Sequence, residues 1–410
     1  MGKKCVKSNF LPWACVRWRC LRHVGGGGDG DQTPKVKFTS LVTFGDSLSD
    51  VGTYNVGTIA AFGGGKYTVN SPSAKNWTEV LASQLGLAAP CAAQTGLAGD
   101  STKGFNVTSM PHTDCTNYAQ GGARVLHPVG PGNAALGGGN AVLGQLTVPL
   151  TTQMGNHLTV AGGSFTGKEL VTVQAGANDL FMQFGTLTVL NAVDPNVPVT
   201  ITDFTTYVTQ VAGWTSAEAS AVLGAQNPVA KAGETMALKM AAAGTDLSGL
   251  VKTELVAKGA KYVLVLTLPN VSKTPFANSL GNGNATLNAT LVAIIDSITQ
   301  AFNTSLNAGL AGTAGVKLGD AYTTNTDQFN NPSQYGLSNV TGTACYLPDT
   351  PTSANLLSSS LICNTNANTS NVIAGDISTY LFADTVHPTP YGYKLMAQEA
   401  AKHLVIAGWL

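Results

Sequence analysis

Charge is scarce in this chain: 11% of its 410 residues are Asp, Glu, Lys or Arg, and the formal net charge is zero. With no basic stripe and no acidic run, nothing in the composition points to nucleic acid or to an acidic partner. Long apolar runs are missing as well. No stretch approaches the ~20 apolar residues of a membrane-crossing helix, so no transmembrane span is expected. The seven cysteines contain no C-x-x-C pair, and no histidines cluster beside them, which argues against a zinc site. Near the N-terminus, Arg17, Arg19, Arg22 and His23 interrupt every apolar run. A signal peptide needs an unbroken apolar core of about 7–15 residues, and none is present there.

Residues 1–36 therefore read as a basic arm carrying Cys5, Cys15 and Cys20 and closing on the tether Gly25-Gly26-Gly27-Gly28-Asp29-Gly30-Asp31. Such a tether commonly follows an export signal or a lipid-anchored cysteine. Either an export signal is lost or scrambled in this arm, or the arm is a disordered appendage of a cytosolic protein. Residues 37–410 read as one domain with loop insertions, long for a single α/β unit but within its range.

Apolar, β-branched runs alternate with helical spacing through that region. Residues 36–44, 169–175, 262–268 and 316–318 read as strands, and residues 117–119 as the close of a further one. Residues 77–87, 143–158, 228–258 and 287–306 carry helical periodicity. The alternation predicts a three-layer α/β/α fold with a mostly parallel central sheet. Residues 322–371 are rich in Asn, Ser and Thr and read as loop.

The first strand empties at Gly45 into Asp46-Ser47-Leu48-Ser49-Asp50. In open α/β sheets, reactive groups gather outside the carboxyl ends of strands, which places Ser47 at a site edge. The plainer reading is a helix cap, because Ser and Asp are good N-cap residues. At the far end stands Asp384-Thr385-Val386-His387-Pro388. A nucleophilic serine needs a base, usually histidine, and that histidine needs a carboxylate to orient it. One loop can present both Asp384 and His387, although a lone D-x-x-H could equally be half of a metal site.

Two further blocks fall between these: Asn117-Tyr118-Ala119-Gln120-Gly121-Gly122-Ala123 and Gly176-Ala177-Asn178-Asp179. The four together, in this order, resemble the GDSL or SGNH hydrolase family over roughly residues 38–406. The resemblance implies Ser47 as nucleophile, His387 as base and Asp384 as the orienting acid. It also implies an oxyanion hole built from the Ser47 N–H, the Gly122 N–H and the Asn178 side-chain amide, with Gly122 chosen over Gly121 by counting from Asn117. An asparagine suits that task as a neutral donor that cannot lose its proton. No metal or cofactor is needed for this chemistry.

Cys91 and Cys115 flank one polar segment, and Cys345 and Cys363 another. Each pair would staple a loop lacking apolar anchors, so both are expected as disulfides in an oxidising, secreted, periplasmic or cell-surface setting. Tyr67 and Trp77 are either pocket walls or core. Arg124 either meets an anionic group or forms a structural salt bridge, and Asp179 is expected to be structural. Residues 181–213 are the candidate substrate-facing wall. The expected activity is hydrolysis of a small-molecule or lipid ester, as esterase or lipase. Alternatives are a carbohydrate deacetylase or phospholipase on the same residues, or a surface-binding protein that keeps the fold without catalysis.

Overall fold

The computed structural model describes residues 35–190, 203–281, 283–346, 359–366 and 370–410. The N-terminal arm up to residue 34, with its three cysteines, lies outside them. Among the described residues the strands are β1 (Leu41–Gly45), β2 (Gln94–Ala98), β3 (Asn106–Pro111), β4 (Leu170–Gln174), β5 (Tyr262–Leu266), β6 (Val316–Gly319), β7 (Asn339–Thr343) and β8 (Tyr380–Phe382).

The central sheet runs β1-β4-β5-β6, all parallel. Its register sets Leu41 beside Leu170 and Leu170 beside Tyr262. Side chains on a strand alternate between faces, and here the two sets enter different cores. Val42, Phe44, Val171, Val173, Val263 and Val265 join a cluster with Met240, Ile295 and Phe302. Leu41, Leu170, Leu264 and Leu266 join another with Trp77, Leu81, Tyr393 and Leu404. A parallel sheet covered on both faces explains why these strands read as continuous apolar runs. Among the polar exceptions, the Thr43 and Thr172 hydroxyls bond each other across β1 and β4 at 2.9 Å, and Gln174 is fully buried.

Helices Trp77–Gln84 and Pro390–Ile406 cover one face; Pro228–Leu250 and Ala285–Leu310 pack together on the other. The latter two approach closely because Gly244 has no side chain: a Cβ there would lie 2.3 Å from the Phe302 carbonyl oxygen. The helix Ala285–Leu310 corrects one expectation. With 26 residues and a mean hydropathy of 1.2 in its most apolar window, it is long and apolar enough to cross a membrane by length and composition. Its buried stripe, Leu291, Ile295, Ile298, Phe302, Leu306 and Leu310, packs into the larger core, as in the core helix of a globular domain.

Other expectations shift. Asn117 closes no regular strand; it forms isolated bridges to Thr43 and to Ala92. The Gly-, Ser- and Thr-rich segment before it instead contains the antiparallel hairpin β2–β3, bent where the register shifts between Thr95 and Leu97. The expected helix over 143–158 runs from Leu150 to Val160. The loop expected over 322–371 contains the helix Ala321–Asn330, which buries only Gln328 and so carries no apolar period to read. Its start is fixed by the Asp320 side chain, which accepts from the Thr323 N–H. Both disulfides are present, Cys91–Cys115 and Cys345–Cys363, with Cα atoms 5.1 and 5.9 Å apart.

Candidate active site

The end of β1 is held by a single side chain. The Gln153 amide accepts from the Gly45 N–H at 2.9 Å and donates to the Gly45 carbonyl at 2.9 Å. A Cβ on Gly45 would lie 2.5 Å from the Gln174 carbonyl oxygen of β4, so only glycine lets the strands stay paired here. The chain then turns sharply, with the Ser49 N–H donating to the Asp46 carbonyl and the Leu48 N–H to the Asp46 carboxylate. Ser47 sits on that turn.

The loop after β8 brings the other half. The Ala383 N–H bonds the His387 carbonyl, and Ala383 accepts from the Cys345 N–H, which ties the loop to the Cys345–Cys363 bridge. His387 Nε2 lies 2.8 Å from Ser47 Oγ. Its Nδ1 lies 2.7 Å from Asp384 Oδ2 and 2.9 Å from Oδ1. Asp384 also accepts backbone N–H groups from Val386 at 3.0 Å, His387 at 2.8 Å and Ser360 at 2.5 Å. Burial alone would raise the Asp384 pKa, but the neighbouring imidazole and these donors pull it down to about 2. An ionised carboxylate can only accept, so Nδ1 carries the ring proton and Nε2 is the acceptor facing Ser47.

Across from this chain lie three donors. The Ser47 and Gly122 N–H groups make no hydrogen bond among the described residues. Gly122 sits at φ +81°, and a Cβ would meet Thr147 Cγ2 at 2.5 Å. The preceding glycine differs: the Gly121 N–H donates to Asp50 Oδ2 at 2.9 Å and its carbonyl accepts from the Tyr54 hydroxyl at 2.7 Å. With Gly121 occupied, Gly122 is the residue of the pair with an N–H to offer. Asn178, in the first turn of the helix Ala177–Val189, donates to the Ala123 carbonyl at 2.8 Å and keeps a second amide hydrogen. Ser47, His387, Gly122 and Asn178 line one cavity of about 430 Å³.

The model of the GDSL-like Lipase/Acylhydrolase family matches residues 41–400. The chain belongs to that family. Membership supports a hydrolase of ester substrates, acting on a small molecule. No curated protein matches the chain.

In this GDSL-like chain Tyr67 lines the cavity, whereas Trp77 is fully buried and donates to Ser49 Oγ at 3.1 Å. Arg124 is the structural alternative: it pairs with Asp179 at 2.9 Å and donates to the Val211 carbonyl at 2.7 Å. Asp179 is thus structural through that pair and through the Val125 N–H. The substrate-facing wall expected over 181–213 is corrected. Met182, Phe184, Phe204, Tyr207 and Trp214 are buried in the larger core, and of the aromatics there Phe181 alone lines the cavity; residues 191–202 lie outside the described set. His112, His127, His157 and His403 are not among the lining residues. Sequence reasoning missed Asp50, Tyr54, Gln145, Gln153, Phe276 and Ser360. Asp50 was visible in the first block, but nothing local signals a contact with Gly121, 71 residues away.

Proposed function

We propose that the protein is a serine hydrolase that cleaves carboxylic esters through an acyl-enzyme. One observation carries the reading: Ser47 Oγ, His387 Nε2 and Asp384 form a continuous hydrogen-bonded chain opposite two free backbone N–H groups and a side-chain amide. His387 takes the Ser47 proton as Ser47 attacks the ester carbonyl. The oxyanion is received by the Ser47 N–H, the Gly122 N–H and Asn178. Losing one such donor typically costs about 10²–10³ in rate. His387 then protonates the leaving alcohol, and water repeats the sequence to release the acid. Asp384, ionised at neutral pH, holds the imidazole in its tautomer and stabilises the imidazolium.

No Lys, Arg, Asp or Glu lines the cavity among the described residues. That favours an uncharged ester over a phospholipid, whose phosphate would lack a cationic partner. The two disulfides favour an extracellular or other oxidising setting. The test is hydrolysis of p-nitrophenyl esters from acetyl to palmitoyl by wild type and Ser47→Ala. A Ser47-dependent rate is expected. A folded Ser47→Ala protein that retains the rate would overturn the assignment.

A further inference from the structure

Beside the catalytic loop lies a second cavity, of about 80 Å³. Three chain segments run between it and the catalytic cavity, each contributing to both. Ser47 lines the catalytic cavity and Leu48 the second; Phe276 lines the first and Thr274 the second; His387 lines the first and Pro388 the second. Val386 lines both, alone among the described residues that line either. The wall between the two spaces is therefore one residue thick at Val386.

Both sides of that wall are largely apolar. Leu48, Leu381, Phe382 and Met396 line the second cavity, where Asn325 and Gln328 add two amides. Its carboxylate, Glu399, is already engaged by Lys402 at 3.3 Å. On the catalytic side Phe276 meets Phe181 edge-on, with centroids 5.4 Å apart. The Phe276 N–H donates to the carbonyl of Thr385, the chain neighbour of Val386, at 2.9 Å. Such a space takes hydrocarbon, whereas a charge would be left desolvated there. By the measure that a cavity of about 150 Å³ holds benzene, about 80 Å³ holds roughly three carbons. Val386 is also built as a fixed stop. Its N–H donates to Asp384 Oδ1 at 3.0 Å, which pins the backbone, and a β-branched side chain has little freedom to swing aside.

We propose that the Val386 side chain limits the length of the aliphatic chain that the catalytic cavity accepts, whether that chain belongs to the acyl or the alkyl part of the ester. In the wild-type protein the space beyond Val386 is closed to substrate. This rests on the ester-hydrolase reading above and deepens it by naming the residue that sets chain length.

The experiment measures kcat/KM along two series, p-nitrophenyl esters from acetyl to decanoyl and alkyl acetates from methyl to decyl. The proteins are wild type, Ser47→Ala, Val386→Ala, Val386→Ile, and Val386→Ala combined with Ala321→Leu. Val386 is only half-buried, so its truncation should leave the fold intact. Wild type should show a cut-off, a length beyond which kcat/KM stops rising. Val386→Ala should move it up by roughly three carbons in one series, with about a fourfold gain per added methylene. The series that moves identifies the part of the ester that meets Val386. Val386→Ile keeps the wall closed and should keep the wild-type cut-off. Ala321 lines the second cavity, so Ala321→Leu fills it and should cancel the gain. An unchanged cut-off in Val386→Ala would overturn the proposal. So would a gain shared equally by both series or by Val386→Ile, or one that Ala321→Leu leaves in place, since a loosened loop rather than an opened wall would then be its cause. If wild type shows no Ser47-dependent hydrolysis in either series, the ester-hydrolase reading itself fails.

Discussion

Asp50→Asn isolates how the Gly122 N–H is aimed. The Asp50 side chain is 1% exposed, and its carboxylate accepts three backbone N–H groups. Oδ1 takes Gly52 and Thr53 at 2.8 Å each, and Oδ2 takes Gly121 at 2.9 Å. Asparagine can keep the first two, but its NH₂ replaces Oδ2 and faces the Gly121 N–H, donor against donor. One buried donor left unpaired costs about 1–3 kcal/mol of stability. The kinetic effect should be larger. A Gly121 peptide that rotates away takes the next N–H with it, and a lost oxyanion donor costs about 10²–10³ in kcat. The assay is kcat and KM on p-nitrophenyl acetate beside urea unfolding of the same protein. The expected result is a kcat down by about two orders of magnitude, KM little changed and a modest loss of stability. A variant destabilised as predicted but with wild-type kcat would refute the reasoning, because Gly122 would then not depend on Asp50.

Asp46 should make stability depend on pH. Burial raises its carboxyl from 3.8 to about 7, and its Oδ2 has no partner among the described residues. The folded state therefore binds this proton more tightly than the unfolded one. The contribution is full below about pH 4 and is lost as pH rises through about 7, by up to about 4 kcal/mol. Urea midpoints between pH 4 and 8 should decline less steeply in Asp46→Asn; an unchanged slope would reject the assignment. Arg124→Met strands the buried Asp179 carboxylate, with side-chain exposures of 5% and 7% for the pair. It should cost about 3–5 kcal/mol, partly recovered by adding Asp179→Asn. A loss below about 1 kcal/mol would show the pair to be incidental. Replacing Cys345 and Cys363 together with serine should cost about 3 kcal/mol by chain entropy over their 18-residue separation, read by the same unfolding titration. No measurable change in midpoint would contradict that expectation.

The layered architecture was legible because both faces of the sheet are covered, so Leu41–Gly45, Leu170–Gln174 and Tyr262–Leu266 read as apolar runs with no competing pattern. The proposed catalytic residues Ser47, Asp384 and His387 were legible as candidates because a serine-nucleophile mechanism demands those residue types, and each stands next to a strand end or a proline-limited loop. The hairpin β2–β3 was not. Its pairs mix exposed polar residues with Gly96, at φ +155°, so no alternation survives in the sequence. Residues 181–213 misled because aromatic content looks alike whether it faces a ligand or a core; the difference is made by helices distant in sequence. The supports of the site were the least legible part. Gln153 clamps Gly45 from 108 residues away, and such a contact leaves no local trace.

The Ser47–His387 contact also sets an order of events. The two residues that meet at 2.8 Å are 340 positions apart. A ribosome finishes β1 long before it reaches the His387 loop, so the serine emerges well ahead of its imidazole. Every chain terminated between the two residues lacks that contact, and so does any fragment cut between them. Any property that depends on the pair therefore appears only once both segments are made and folded together, and its level in a preparation counts the chains that carry both and have folded.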